Sequence, residues 1–237
     1  MIQNRYKDGL RENNQTIIDL SPANYTLRIE LSLEMKKRII DKPTSKILEI
    51  GSGECDLTKY ILQNNKFSEI DCLDVAQEMI DAAKPIMKEY RERIHFMCED
   101  ALTYLENTEK KYDIITSAWT LHNFTQENRK RVFENIYANL TNNGKLIILD
   151  KIYPDVDEEE KKRLLYIQLS RYRYLEVIIA TNIIAHEHQD YLEDYRMDES
   201  DTINILKKIW FSNIHIVDRV ERDIVLVAEK ATWERAL

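Results

Sequence analysis

The sequence predicts an α/β fold: a doubly wound, mostly parallel sheet of seven strands that closes on an antiparallel hairpin. Three observations carry that expectation. Short apolar runs alternate with segments of helical spacing from Ile47 to Leu149, as a parallel sheet with helices on both faces requires. A glycine turn, Gly51-Ser52-Gly53, follows the first apolar run at once. Near the end, the runs from Ile214 to Val220 and from Ile224 to Ala228 are parted only by a polar turn at Glu221 and Arg222, and so short a link forces an antiparallel pair.

In chain order, residues 1–42 read as an N-terminal helical segment. Its apolar stripe, Leu27, Leu31, Met35 and Ile39, ends before Pro43. Ile47, Leu48 and Ile50 form the first buried strand, and Leu57 and Ile61 mark one face of the helix after the turn. The run from Ile70 to Leu73 is a second strand that ends in Asp74. A helix follows around Met79, Ile80 and Ala83, then strands from Ile94 to Cys98 and from Tyr112 to Thr116. Thr125 caps a helix whose Val132, Phe133, Ile136, Tyr137 and Leu140 share a face, Gly144 stops it, and Leu146 to Leu149 is the fifth strand. Residues 154–195 lack glycine after Pro154, open on an acidic run and carry five tyrosines. They read as a helical insertion over the sheet, a lid. A helix near Asp201, with Ile205, Leu206 and Ile209 on one side, leads into the hairpin. No linker or repeat divides the chain, so residues 1–237 are expected to form one domain.

Composition narrows the partners. Net charge is −8, with Lys and Arg scattered among the acids, so there is no basic stripe to neutralise phosphates and nucleic acid is not expected. The start has no apolar signal region, and no apolar run approaches the ~20 residues of a membrane helix, so a cytoplasmic protein is expected. Cys55, Cys72 and Cys98 are odd in number and lack metal-ligand spacing; they read as reduced and mostly packed in the core.

Two of the four glycines of the chain lie in the turn at 51–53. Gly51 permits a tight exit from the strand, and Gly53 lets backbone approach a ligand. Asp74, 21 residues after Gly53, stands where an acid accepts the hydroxyls of a ribose, so turn and acid together imply an adenosine ligand. A dinucleotide fits less well. The third glycine of that fingerprint is Asp56 here, and Glu49 places a carboxylate where an apolar residue is usual, which suits a cationic ligand.

These residues resemble the class I S-adenosylmethionine-dependent methyltransferases. ILEIGSGECDLT is similar to their first motif, LDVAQEMIDAAK to the second, FMCEDALTYL to the third and YDIITSAWTLHNF to the fourth, and the likeness extends through NNGKLIILDKI to the closing hairpin. It implies a Rossmann-like fold, S-adenosylmethionine as cofactor and S-adenosylhomocysteine as product. It also implies roles: Glu49, Gly51 and Gly53 at the amino-acid end of the cofactor, Asp74 at the ribose, Val75 and Met79 beside the adenine. Asp100 and Ala101 would meet the adenine amino group, Ser117 and Ala118 the methionine portion, and Tyr25 would close over the cofactor. Cys55 departs from the pattern, standing where the third glycine of the family falls.

A sulfonium methyl needs no activation, so the main task is to align an acceptor in line at about 3 Å within a water-poor pocket. An oxygen or ammonium acceptor must also lose a proton. His122, which follows the fourth strand, is the candidate base, and bracing the next helix is the alternative. His186 is a second candidate base and His188 an acceptor contact, or both lie at a solvated helix end; no third ligand is evident, so no metal is expected. Arg171, Tyr172 and Tyr174 in the lid suit a carboxylate or aromatic acceptor, or pack on the sheet. The expected reaction is methyl transfer to oxygen or nitrogen of a small molecule. A tRNA or protein methyltransferase, and a module that binds the cofactor without turnover, are the competing readings. The aromatic lid leaves a homodimer open.

Overall fold

The computed structural model describes residues 33, 36–37, 46–66, 68–170, 177–192 and 194–231. Tyr25 and the stripe from Leu27 to Ile39 lie outside these residues, as do Arg171, Tyr172 and Tyr174; Leu33, Lys36 and Lys37 are helical. Strands β1 (Lys46–Ile50), β2 (Glu69–Asp74), β3 (Ile94–Cys98), β4 (Tyr112–Ala118), β5 (Leu140–Lys151), β6 (Phe211–Val220) and β7 (Asp223–Lys230) form one sheet in the order β3-β2-β1-β4-β5-β7-β6. The first five run parallel, and β7 is antiparallel to both β5 and β6.

Period-two alternation sorts the side chains onto two faces. Ile47, Ile70, Ile114 and Ile147 pack with Leu57 and Ile61 of α1 (Asp56–Asn64) and Ala83 of α2 (Gln77–Ile86). Leu48, Ile50, Ile115 and Ile148 pack on the other face with Leu105 of α3 (Ala101–Asn107), Phe133 and Ile136 of α4 (Gln126–Asn139) and Leu206 of α7 (Glu199–Lys208). The predicted insertion contains α5 (Glu158–Ser170) and α6 (Val177–Tyr191).

Two readings are corrected. Helix α3 is absent from the sequence reading, although Asp100 caps it by accepting from Thr103 N at 3.0 Å and its Leu102 and Leu105 are both buried. Gly144 does not end α4. That helix stops at Asn139, Leu140 takes extended dihedrals, and the pairing with β4 jumps from Tyr112–Leu140 to Ile114–Lys145, so Gly144 lies in an irregular strand entry. The cysteines are mostly packed, as expected: Cys55 and Cys72 are buried, and Cys98, on the edge strand β3, is exposed.

Candidate cofactor site and the polar cluster beneath the lid

The strand order reverses between β1 and β4, which opens a crevice at their carboxyl ends. Into it run the turn after β1 and the loop after β4. Gly51 has φ +71°, its N–H donates to Leu73 O at 2.8 Å, and a Cβ built on it would meet Thr120 Oγ1 at 2.0 Å. The two loops therefore touch at the switch point, and only a glycine fits. Gly53, at φ +52°, differs: a Cβ there meets nothing within 4 Å, so the space before it is open.

Asp74 does more than face that space. Its Oδ2 accepts from Gly53 N and its Oδ1 from Ala76 N, both at 2.8 Å, so the carboxylate braces the turn and the start of α2 together. Burial raises its pKa, and the backbone donors at Ala76 and Gly53 oppose the rise. Glu49 is buried at the end of β1, accepts from Thr58 Oγ1 of α1, and has a pKa pushed up to about 8 by burial, with the Thr58 hydroxyl opposing and the charges of Asp56 and Asp74 adding to it. Ser52 Oγ, between the two glycines, is buried and has no hydrogen-bond partner among the described residues. An open cradle, an orphaned hydroxyl and two acids fit a polar ligand with cationic groups.

Cys55 explains its departure from the glycine pattern only in part. It caps α1 in the left-handed conformation, φ 67° and ψ 32°, where glycine is unstrained and other residues are disfavoured by roughly 1–2 kcal/mol. The thiol is buried, which offsets some of that strain. Of the remaining predicted contacts, Val75 is exposed, and Met79 and Ala101 are buried. One Asp100 oxygen is taken by the α3 cap. Ser117 Oγ donates to Ile50 O at 3.2 Å and so serves the sheet, while Ala118 ends β4 at the crevice.

A second polar group lies at the same end of the sheet, under α6. His122 is buried and its Nδ1 lies 2.6 Å from Asp150 Oδ1, while Asp150 Oδ2 accepts from Leu121 N at 2.7 Å. Lys151 Nζ lies 2.7 Å from Asp190 Oδ2 and 3.2 Å from Glu187 Oε1. Arg222 binds Glu187 Oε2 and donates to Tyr153 Oη at 2.9 Å. Helix α6 is thus tied to the sheet by buried charges. Burial works against ionising Glu187, but Arg222 and Lys151 outweigh it and hold that carboxyl well below its ordinary range. Asp150 and Asp190 are also lowered despite burial, the first by His122 and Lys151, the second by Lys151, His122 and His186. His186 falls to about 4, through burial first and then the Lys151 charge.

The sequence reading singled out His122 and His186, and the structure brings them together, ring centroids 5.8 Å apart at 75°. It missed their partners. Asp150 and Lys151 end an apolar strand, and Arg222 was read as part of a polar turn although it is 2% exposed. Arg129 was missed too: it donates to the carbonyls of Leu121 and Phe124, pinning the loop that carries His122. His188 is exposed, outside this group. Two shallow surface depressions, of about 440 and 710 Å³, lie around Pro85 and along α5 and include no residue of the glycine turn.

The fold is Rossmann-like, with the glycine turn at the switch point of its sheet. Residues 48–146 match the family described as "Methyltransferase domain". Among curated proteins, the malonyl-[acyl-carrier protein] O-methyltransferase 1 of Ilyobacter polytropus is 34% identical over 100 residues, 42% of this chain and 35% of that one. The carboxy-S-adenosyl-L-methionine synthase of Campylobacter lari is 26% identical over 177 residues, 73% of this chain and 72% of that one. Human N-acetylserotonin methyltransferase, solved in complex with SAM, superposes with a TM-score of 0.59 at 16% identity, over 85% of this chain and 52% of that one. The chain thus spans about a third of the first relative and half of the solved one. Over residues 48–146 the chain is similar to methyltransferase domains, and its fold is that of the solved methyltransferase. Among the described residues, no helix is long and apolar enough to cross a membrane.

Proposed function

We propose that the protein binds S-adenosylmethionine over the glycine turn and transfers its methyl group to an oxygen or nitrogen of a small-molecule acceptor. The observation that carries this reading is the open space at Gly53, held by Asp74 and flanked by buried Glu49 and unpartnered Ser52 Oγ. Relatives support the cofactor, because one is named as an O-methyltransferase, one makes a carboxylated S-adenosylmethionine, and one was solved with SAM. Glu49, Gly51 and Gly53 would hold the amino-acid end, the remaining Asp74 lone pairs the ribose, and Val75, Met79, Asp100 and Ala101 the adenine. The backbone at Ser117 and Ala118 would pass the methionine chain.

The bound cofactor supplies an electrophilic methyl on a sulfonium, and this chain supplies alignment and exclusion of water. An acceptor hydroxyl or ammonium also releases a proton. His122 is our candidate to take it at Nε2, with Asp150 behind Nδ1 fixing the ring. The acidic net charge favours a metabolite over RNA as acceptor. Incubation with S-adenosylmethionine and panels of hydroxyl, amine and carboxylate acceptors, read as S-adenosylhomocysteine release, tests the proposal. Acceptor-dependent release that falls at least tenfold in Asp74→Ala supports it; binding without release under any acceptor would favour a module that only holds the cofactor.

A further inference from the structure

The cluster under α6 brings two imidazoles to one carboxylate oxygen. His122 Nε2 and His186 Nε2 approach the same oxygen, Asp190 Oδ2, at 3.7 and 3.4 Å, long for direct hydrogen bonds. One ligand atom from each of the three residues lies within 4.8 Å of the others. For four ligands about 2.1 Å from a tetrahedral zinc ion, neighbouring donors stand about 3.4 Å apart. Two of the three edges here already match that spacing.

The surroundings match as well. A ligating histidine usually gives its second nitrogen to a carboxylate that fixes the tautomer, and His122 Nδ1 lies 2.6 Å from Asp150 Oδ1. All three donors are withdrawn from solvent: His122 and Asp190 are buried and His186 half-buried.

We propose that His122, His186 and Asp190 form a binding site for an imidazole-preferring divalent cation such as zinc or cobalt, with a fourth position left for water. Magnesium and calcium, which take oxygen ligands, are not expected to bind. Lys151 is the competitor, since its Nζ lies 2.7 Å from the Asp190 oxygen that would ligate. The facing charges are Asp150, Lys151, Glu187 and Arg222, with Arg129 beyond, so the ion enters a cluster already near balance and must displace the ammonium toward Glu187. Ligation also takes the Nε2 lone pair that proton uptake would use, so the two roles of His122 exclude each other. This site does not depend on the methyl-transfer reading.

The test is titration of the full-length protein, stripped with chelator, with zinc and with cobalt, read by calorimetry, by melting temperature and by the visible bands of tetrahedral cobalt. The expected result is one ion per chain, tetrahedral cobalt bands and a raised melting temperature. Binding should weaken at least tenfold in His186→Gln and in Asp190→Asn, and tighten in Lys151→Gln, where the competitor is gone. Because Asp190→Asn also disturbs an ion pair, circular dichroism of each variant and the gain in Lys151→Gln separate ligation from folding. No binding to the folded wild type, or equal binding to His186→Gln, would overturn the site.

Discussion

Two glycines two residues apart are under different constraints. Gly51 is filled by Thr120 and Gly53 by nothing. Gly51→Ala should therefore cost several kcal/mol, through overlap with Thr120 and an unfavourable φ, and be seen as a lower urea midpoint. Gly53→Ala should cost only about 1 kcal/mol, its φ penalty, yet lose cofactor affinity because its methyl enters the cradle. Cys55 gives a paired prediction. Cys55→Ala keeps the strained φ of 67° and loses a buried thiol, so it should destabilise by about 1 kcal/mol, whereas Cys55→Gly should be close to neutral. Equal losses in the two variants would mean that the backbone there carries no strain.

At the scale of elements, α6 is seated by charge. Arg222 sits in the turn between β6 and β7 and meets Glu187 of α6, both buried. Removing one partner leaves the other charge buried and alone, so Arg222→Met should cost about 3–5 kcal/mol by urea unfolding. Adding Glu187→Met should recover a large part of that loss. A double variant no better than the single would assign the cost to Tyr153 instead. Here the limit of the sequence is plain. The glycine turn, Asp74 and the strand rhythm are local patterns and were legible, as was the hairpin. The short α3 was not, because seven residues give too little periodicity, although Asp100 and Thr103 were a capping signal. Arg222, Asp150 and Lys151 were invisible for another reason. Each is an ordinary polar residue at an element end, and only tertiary packing brings Lys151 and Arg222 against α6, at least 35 residues away in sequence, and Asp150 against His122, 28 residues away.

Across the whole molecule, the buried acids divide by the sign of their shifts, and stability should follow both. Asp150, Glu187 and Asp190 have lowered pKa values in the fold, so their contribution is present above the ordinary carboxylate range and is lost as pH falls through the folded values. Glu49 has the opposite sign. Its pKa is raised from 4.5 to about 8, so its contribution is full below pH 4.5 and is lost as pH rises toward 8. Melting temperature should therefore fall on both sides of a weakly acidic optimum. Glu49→Gln should flatten the basic limb and leave the acid limb unchanged; a basic limb that persists in this variant would place the titrating group elsewhere. A cationic ligand beside Glu49 would draw off its proton, so cofactor affinity should rise with pH toward 8.

The measurement that bears most directly on the central claim is calorimetric titration of S-adenosylmethionine into the wild type and into Gly53→Ala, with the melting temperature of each in the same buffer. The account predicts binding at one site in the wild type and at least a tenfold loss in a Gly53→Ala variant that melts within a few degrees of it. Absence of binding to the folded wild type, or undiminished binding to the variant, would contradict the placement of the cofactor over this turn.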